Sequence, residues 1–173
     1  MSYMSKNYLI ATGVLLFSLA ALAQNSECDQ VAGNLVDNCG WETGCWHGWN
    51  ANSDIVDVDG DGVAHSGAWG GIVHAHQGVE YIGQPLSTVV GQAYTLSFWV
   101  RNAETVDSLQ VNWIDGDAVE IPLDMVNVPA QNYTQFVIPD LIATSNAMSF
   151  YLALGNALGD IDVDDVVVAP SDE

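Results

Sequence analysis

Tyr94-Thr95-Leu96-Ser97-Phe98-Trp99-Val100-Arg101 is the stretch that decides the fold. Apolar and polar side chains alternate along it, the period of two that a pleated strand presents and that a helix would scatter around its circumference. Tyr94, Leu96, Phe98 and Val100 share one face and are expected in a core, while Thr95, Ser97, Trp99 and Arg101 share the other. The same alternation sends Leu109, Val111 and Trp113 inward and leaves Gln110 and Asn112 outside. In Met148–Leu154 it buries Phe150, Leu152 and Leu154 and turns Tyr151 out. Similar short runs, rich in β-branched and aromatic residues and bounded by Gly, Asn, Asp and Pro, cover Asn34–Asp37, Asp54–Val58, Trp69–His74, Val79–Leu86, Tyr133–Ile138 and Ile161–Val168. Helical periodicity is almost absent after residue 24. About nine strands separated by turn signals predict an all-β fold, an antiparallel β-sandwich.

Composition narrows the function. At 173 residues the chain has the size of one domain, and 49% apolar residues are enough to build a sizeable core. Against 22 Asp and Glu stand only 2 Lys and Arg, a formal net charge of −20. Phosphate binding needs clustered Lys and Arg, so nucleic acid is excluded as a partner, and docking on an anionic membrane fails for the same reason. No phosphate-cradling Gly-x-x-x-x-Gly-Lys-Ser/Thr loop is present.

Residues 1–23 read as an export signal. Lys6 precedes the apolar stretch Leu9–Ala20, and Ala21-Leu22-Ala23 gives the small-x-small pattern of a cleavage site. No second apolar run of about 20 residues follows, so no membrane span is expected in the mature chain. The expectation is a secreted protein, extracellular or periplasmic, cleaved after Ala23, with an N-terminal segment over 24–33, a domain over 34–169 and an acidic tail at 170–173. Its three cysteines are Cys28, Cys39 and Cys45. Export makes a disulfide the default and the odd count leaves one thiol over; Cys28–Cys39 and Cys39–Cys45 both remain open.

A family resemblance now joins these observations. Asn34-Leu35-Val36-Asp37-Asn38-Cys39-Gly40-Trp41-Glu42-Thr43-Gly44, followed by Trp49, resembles the opening of CenC-type carbohydrate-binding modules, members of the galactose-binding-like jelly-roll class. The likeness continues in His65-Ser66-Gly67, Gln84-Pro85-Leu86 and Val90–Val100, and closes in Val163-Asp164-Asp165-Val166-Val167-Val168. Cys39 and Trp41 depart from the usual Gly and Phe. The same domain occurs in exported proteins with a C-terminal sorting tail. The resemblance implies a jelly-roll sandwich and one structural Ca²⁺ held by Glu42 and Asp164, with Asp165 as the alternate. A hard cation wants several oxygens, and such a site would tie the first and last strands together.

A second, weaker calcium candidate is Asp57-Val58-Asp59-Gly60-Asp61-Gly62, where Asp57, Asp59 and Asp61 alternate as in a Ca²⁺ loop. Ala68 occupies the place of the bidentate Glu that such a loop needs, which favours an acidic hairpin turn. His74 and His76 share a strand face but lack a third placed ligand. Asn132-Tyr133-Thr134 is a glycosylation sequon, relevant in a eukaryotic source. Neither a Gly-x-Ser-x-Gly elbow nor a His-Glu-x-x-His helix is present, so no catalytic residue is assigned and a non-enzyme is expected.

Sugars present apolar C–H faces that stack on exposed rings, and hydroxyls that bond to amides and charged groups. Outward Trp99, Arg101, Gln110, Asn112 and Tyr151 supply that chemistry, with Trp46 as an additional loop ring. The expectation is a monomeric, non-catalytic module that binds a polysaccharide or glycan. An adhesive protein using the same fold for protein contacts is the alternative, and a glycan-active enzyme the third.

Overall fold

The computed structural model describes residues 25–52, 56–60, 62–75, 78–155 and 159–171. The expected export signal, Asp61 and His76 lie outside the described residues. A 3-10 turn, Glu27–Gln30, precedes ten strands: β1 Asn50–Ala51, β2 Val56–Asp59, β3 Gly70–Ala75, β4 Val79–Pro85, β5 Ala93–Arg101, β6 Ser108–Asp115, β7 Asp117–Asp124, β8 Thr134–Ile142, β9 Ser149–Gly155 and β10 Gly159–Pro170. They form two five-stranded sheets, β1-β4-β9-β6-β7 and β2-β3-β10-β5-β8. Pairing is antiparallel throughout. Consecutive strands change sheet everywhere except in the hairpins β2–β3 and β6–β7, which is how a jelly roll winds.

The core forms where alternation puts it. Leu96, Phe98 and Val100 are fully buried on β5, as are Val111 on β6 and Phe150 on β9. Trp41 stacks on Trp49 at 4.5 Å, and Trp49 meets Phe150 edge-on at 5.8 Å. Trp41 lies so close to Gly71 that a Cβ there would come within 2.5 Å of its ring, so only glycine admits this tryptophan. Cys28 and Cys39 are bonded, which settles the open pairing, and Cys45 is a free, exposed thiol.

Three elements differ from the sequence reading, the shortest being the two-residue β1, Asn50–Ala51, which lies outside every run read as a strand. Asn34–Asp37 is not a strand. Its only backbone bond to β10 runs from Leu35 N to Val168 O, and the Asn34 side chain supplies the rest: Oδ1 accepts from Val36 N and Val168 N, and Nδ2 donates to Cys28 O and Val166 O. β7, conversely, is a strand that the reading missed. Its acids and Pro122 obscure the alternation of Val119, Ile121 and Leu123, which pair with Trp113, Val111 and Leu109. Proline is tolerated there because β7 is an edge strand.

Candidate functional site

The outer face of the second sheet carries Trp99 and Arg101, and both are engaged. The connection 62–69 between β2 and β3 folds over this face. His65 stacks on Trp99 with ring centroids 4.0 Å apart and planes 17° from parallel. Tyr133 meets His65 edge-on at 5.3 Å and donates its hydroxyl to Val63 O. Arg101 lies over the Tyr133 ring, and its Nε donates to Asp162 Oδ2 at 2.6 Å. Burial pushes the Tyr133 phenol well above its ordinary range, and the Asp162 carboxylate adds to it. Asp162 is itself raised by burial, against the pull of Arg101.

The acids expected to ligate calcium hold this same loop. Asp164 Oδ2 accepts from His65 N at 2.7 Å and Ser66 N at 3.1 Å, and its Oδ1 accepts from Asp165 N at 2.7 Å. A register shift in β10 after Asp164 and a positive φ of 47° at Asp165 re-aim the second acid. Asp165 Oδ2 takes His65 Nδ1 at 2.7 Å, and its Oδ1 accepts from Ser66 Oγ and Cys28 N. Glu42 reaches the far end of the loop, where Oε1 accepts from Ala68 N at 2.9 Å and Trp69 N at 3.2 Å. Burial, with the Asp165 charge beside it, raises the Asp164 carboxyl to about 8 despite three N–H donors. Ligand atoms of Glu27, His65 and Asp165 lie within 4.8 Å of one another, an acidic group able to hold a metal.

The weaker calcium candidate is drawn into a strand. Asp57 and Asp59 belong to β2, and Asp57 Oδ2 bonds to His74 Nε2 at 3.2 Å. His74 Nδ1 is 2.8 Å from Asp160 Oδ1. Burial alone would lower the His74 pKa, but these two carboxylates outweigh it and the net shift is upward.

The first sheet presents a different outer face. In register across it run Glu120, Asn112, Tyr151, Gly83 and Asn50, one from each of β7, β6, β9, β4 and β1. A parallel row runs Pro122, Gln110, Ala153 and Tyr81. Gln110 Nε2 donates to Asn112 Oδ1 at 2.6 Å, which fixes both amides. Tyr81 and Tyr151 meet edge-on at 5.1 Å. A Cβ at Gly83 would fall 2.6 Å from the Tyr151 ring, so glycine lets that ring lie down on β4. The small Ala153 floors the space between Tyr81 and Gln110. A depression of about 420 Å³ opens here, lined among others by Gln110, Asn112, Glu120 and Pro122.

Of the six ligand-binding residues chosen from sequence, the fold therefore brings Gln110, Asn112 and Tyr151 together. Trp99 and Arg101 lie on the opposite sheet. Trp46 stands apart on a loop, 53% exposed in a shallow hollow beside Cys45 and His47. Tyr81 and Glu120 join the first-sheet face and were not singled out. Alternation around buried Ile82 would have turned Tyr81 outward; Glu120 was hidden with β7.

No family model matches the chain, and no curated protein matches it. Solved structures do. TmCBM61 in complex with β-1,4-galactotriose is 18% identical, with 80% of this chain and 99% of that chain covered and a TM-score of 0.64. The CBM22-1 xylan-binding domain from Paenibacillus barcinonensis Xyn10C is 17% identical, covers 82% of this chain and 97% of that one, and gives a TM-score of 0.64. The enzymatically active domain of bacteriophage CBA120 tailspike protein 4 matches at 13% identity and a TM-score of 0.63, covering 80% of this chain but 21% of that one. The chain has the two-sheet jelly-roll fold of carbohydrate-binding modules.

Proposed function

We propose that the protein is an exported, non-catalytic glycan-binding module whose binding face is the outer surface of the first sheet. The observation that carries this is the open double row in which Gln110, Asn112 and Glu120 line a depression and the paired rings of Tyr81 and Tyr151 stand in the same two rows. Galactotriose in complex with one structural neighbour, and the xylan-binding domain that is another, support a polysaccharide as the ligand class. Binding rather than cleavage is supported by the carbohydrate-binding modules that match over nearly their whole length. Retention on insoluble β-1,4-galactan or xylan tests the reading, with release of reducing ends followed in the same tubes. Wild type is expected to be retained without releasing sugar, and Tyr81→Ala to pass through.

A bound divalent cation, Ca²⁺ by the oxygen-rich chemistry, belongs to this reading. Asp164 and Asp165 are buried side by side among N–H and O–H groups and the His65 imidazole, and burial with the Asp165 charge raises the Asp164 carboxyl to about 8, so a cation beside them would favour the ionised pair. The ligand atoms of Asp165, Glu27 and His65 lie together and would hold the ion, while Glu42 serves the loop at residues 68 and 69. Chelator at fixed ionic strength should lower the wild-type Tm; an unchanged Tm would remove the cation from the account.

A further inference from the structure

Charge on the open face narrows the class of glycan, an inference that rests on the glycan-binding reading above. Alternation along β7 gives that face Glu120 and Asp124 beside Pro122, in register with Asn112, Ser108 and Gln110. Both acids are exposed, and Glu120 borders the depression. No counter-cation stands near them in the strands. β1, β4, β6, β7 and β9 contain no lysine, arginine or histidine. Beyond Lys6, the chain's one strong cation is Arg101, which lies on the other sheet with its guanidinium committed to Asp162.

Hydrogen-bond chemistry points the same way. With Gln110 Nε2 donating to Asn112 Oδ1, the pair offers a ligand the Asn112 amide as donor and the Gln110 carbonyl as acceptor. Glu120 in the same row offers acceptors alone. A sugar hydroxyl both donates and accepts, so it satisfies every one of these groups. A uronate or sulfate oxygen only accepts, so it cannot bond to Glu120 and is repelled by it. We propose that the outer face of the first sheet binds glycans free of carboxylate and sulfate groups and rejects anionic ones, with Glu120 as the residue that sets this specificity.

The test measures binding to β-1,4-galactan and xylan, each in native form, lightly carboxymethylated, and hydroxyethylated to the same extent as a neutral control for bulk. Wild type is expected to bind the hydroxyethylated form at least about tenfold more tightly than the carboxymethylated one, about 1.4 kcal/mol. Raising salt from about 0.01 M to about 1 M shortens the screening length from about 30 Å to about 3 Å and should shrink that ratio. Whatever Glu120→Gln does to binding of the native polymer, it should cut the ratio by about threefold or more at low salt. Equal binding of the two ether forms by wild type overturns the proposal, as does an unchanged ratio in Glu120→Gln. Binding to none of the six preparations strikes at the glycan-binding reading itself and removes this inference with it.

Discussion

The two outer faces of the sandwich start from the same kind of strand and end differently. On the second sheet, outward Trp99, Arg101, Asp162 and Asp164 are consumed internally: His65 stacks on the tryptophan, Asp162 holds the arginine, and Asp164 takes the amides of His65 and Ser66. On the first sheet, the outward rings of Tyr81 and Tyr151 pack on each other, the Gln110 and Asn112 amides bond to each other, and a depression lies beside these amides. Alternation tells which residues leave the core. It does not tell which of those residues reach solvent, because a loop from elsewhere in the chain settles that.

The comparison is broken most forcefully by stability measurements on the covered face. Phe98→Ala deletes a fully buried ring and should cost about 3–5 kcal/mol in unfolding free energy. Trp99→Ala should cost about 2 kcal/mol, because it removes the ring on which His65 rests, and should leave glycan affinity unchanged. Loss of binding in a Trp99→Ala protein that remains folded would transfer the ligand to the second sheet.

The open face gives the intermediate effect. Tyr151→Ala should weaken glycan binding by about tenfold or more, close to 1.4 kcal/mol, with a much smaller change in Tm than Phe98→Ala. Unaltered affinity would mean that the Asn112 row is not where sugar sits.

The smallest effect is electrostatic and sharpens the idea that the second face is tied down. His74 gains protons from its contacts with Asp160 and Asp57, so its folded pKa lies above its unfolded value. The stability from that pair is fully present below the unfolded value of about 6.5 and is lost as pH rises through the folded one. The Tm difference between wild type and His74→Gln should therefore be largest on the acid side and shrink with rising pH. Asp57 is exposed, so the effect stays at the level of a surface ion pair. A difference that is constant with pH would show that the carboxylates do not hold this imidazole.

Much of the architecture was legible because period-two patterning survives wherever one face packs on a core. β5, β6 and β9 follow it residue by residue, and Trp99 and Tyr151 do point outward as their neighbours Phe98 and Phe150 require. β7 was illegible because an edge strand whose apolar residues are exposed (Val119) or half-buried (Ile121, Leu123) tolerates Glu120, Pro122 and flanking acids that resemble loop chemistry. Asn34–Asp37 misled in the opposite sense, since apolar Leu35 and Val36 pack beside β10 while a side-chain amide does the bonding of a ladder. The candidate site was legible in part: alternation turns Gln110, Asn112 and Tyr151 outward, but only the sheet order sets Asn112 against Tyr151, Gln110 in the neighbouring row, and Tyr81 and Glu120 beside them. That His65 would cover Trp99 depends on a contact 34 positions distant in the chain, for which no local pattern exists.

One measurement addresses the central claim directly: amide chemical shifts of the wild-type protein on titration with β-1,4-galacto- and xylo-oligosaccharides. The account predicts that perturbed amides cluster in β4, β6, β7 and β9, around Tyr81, Gln110, Asn112, Glu120 and Tyr151, while β5 and residues 62–69 stay still. Perturbations centred on Trp99 and His65, or on Trp46, would contradict it.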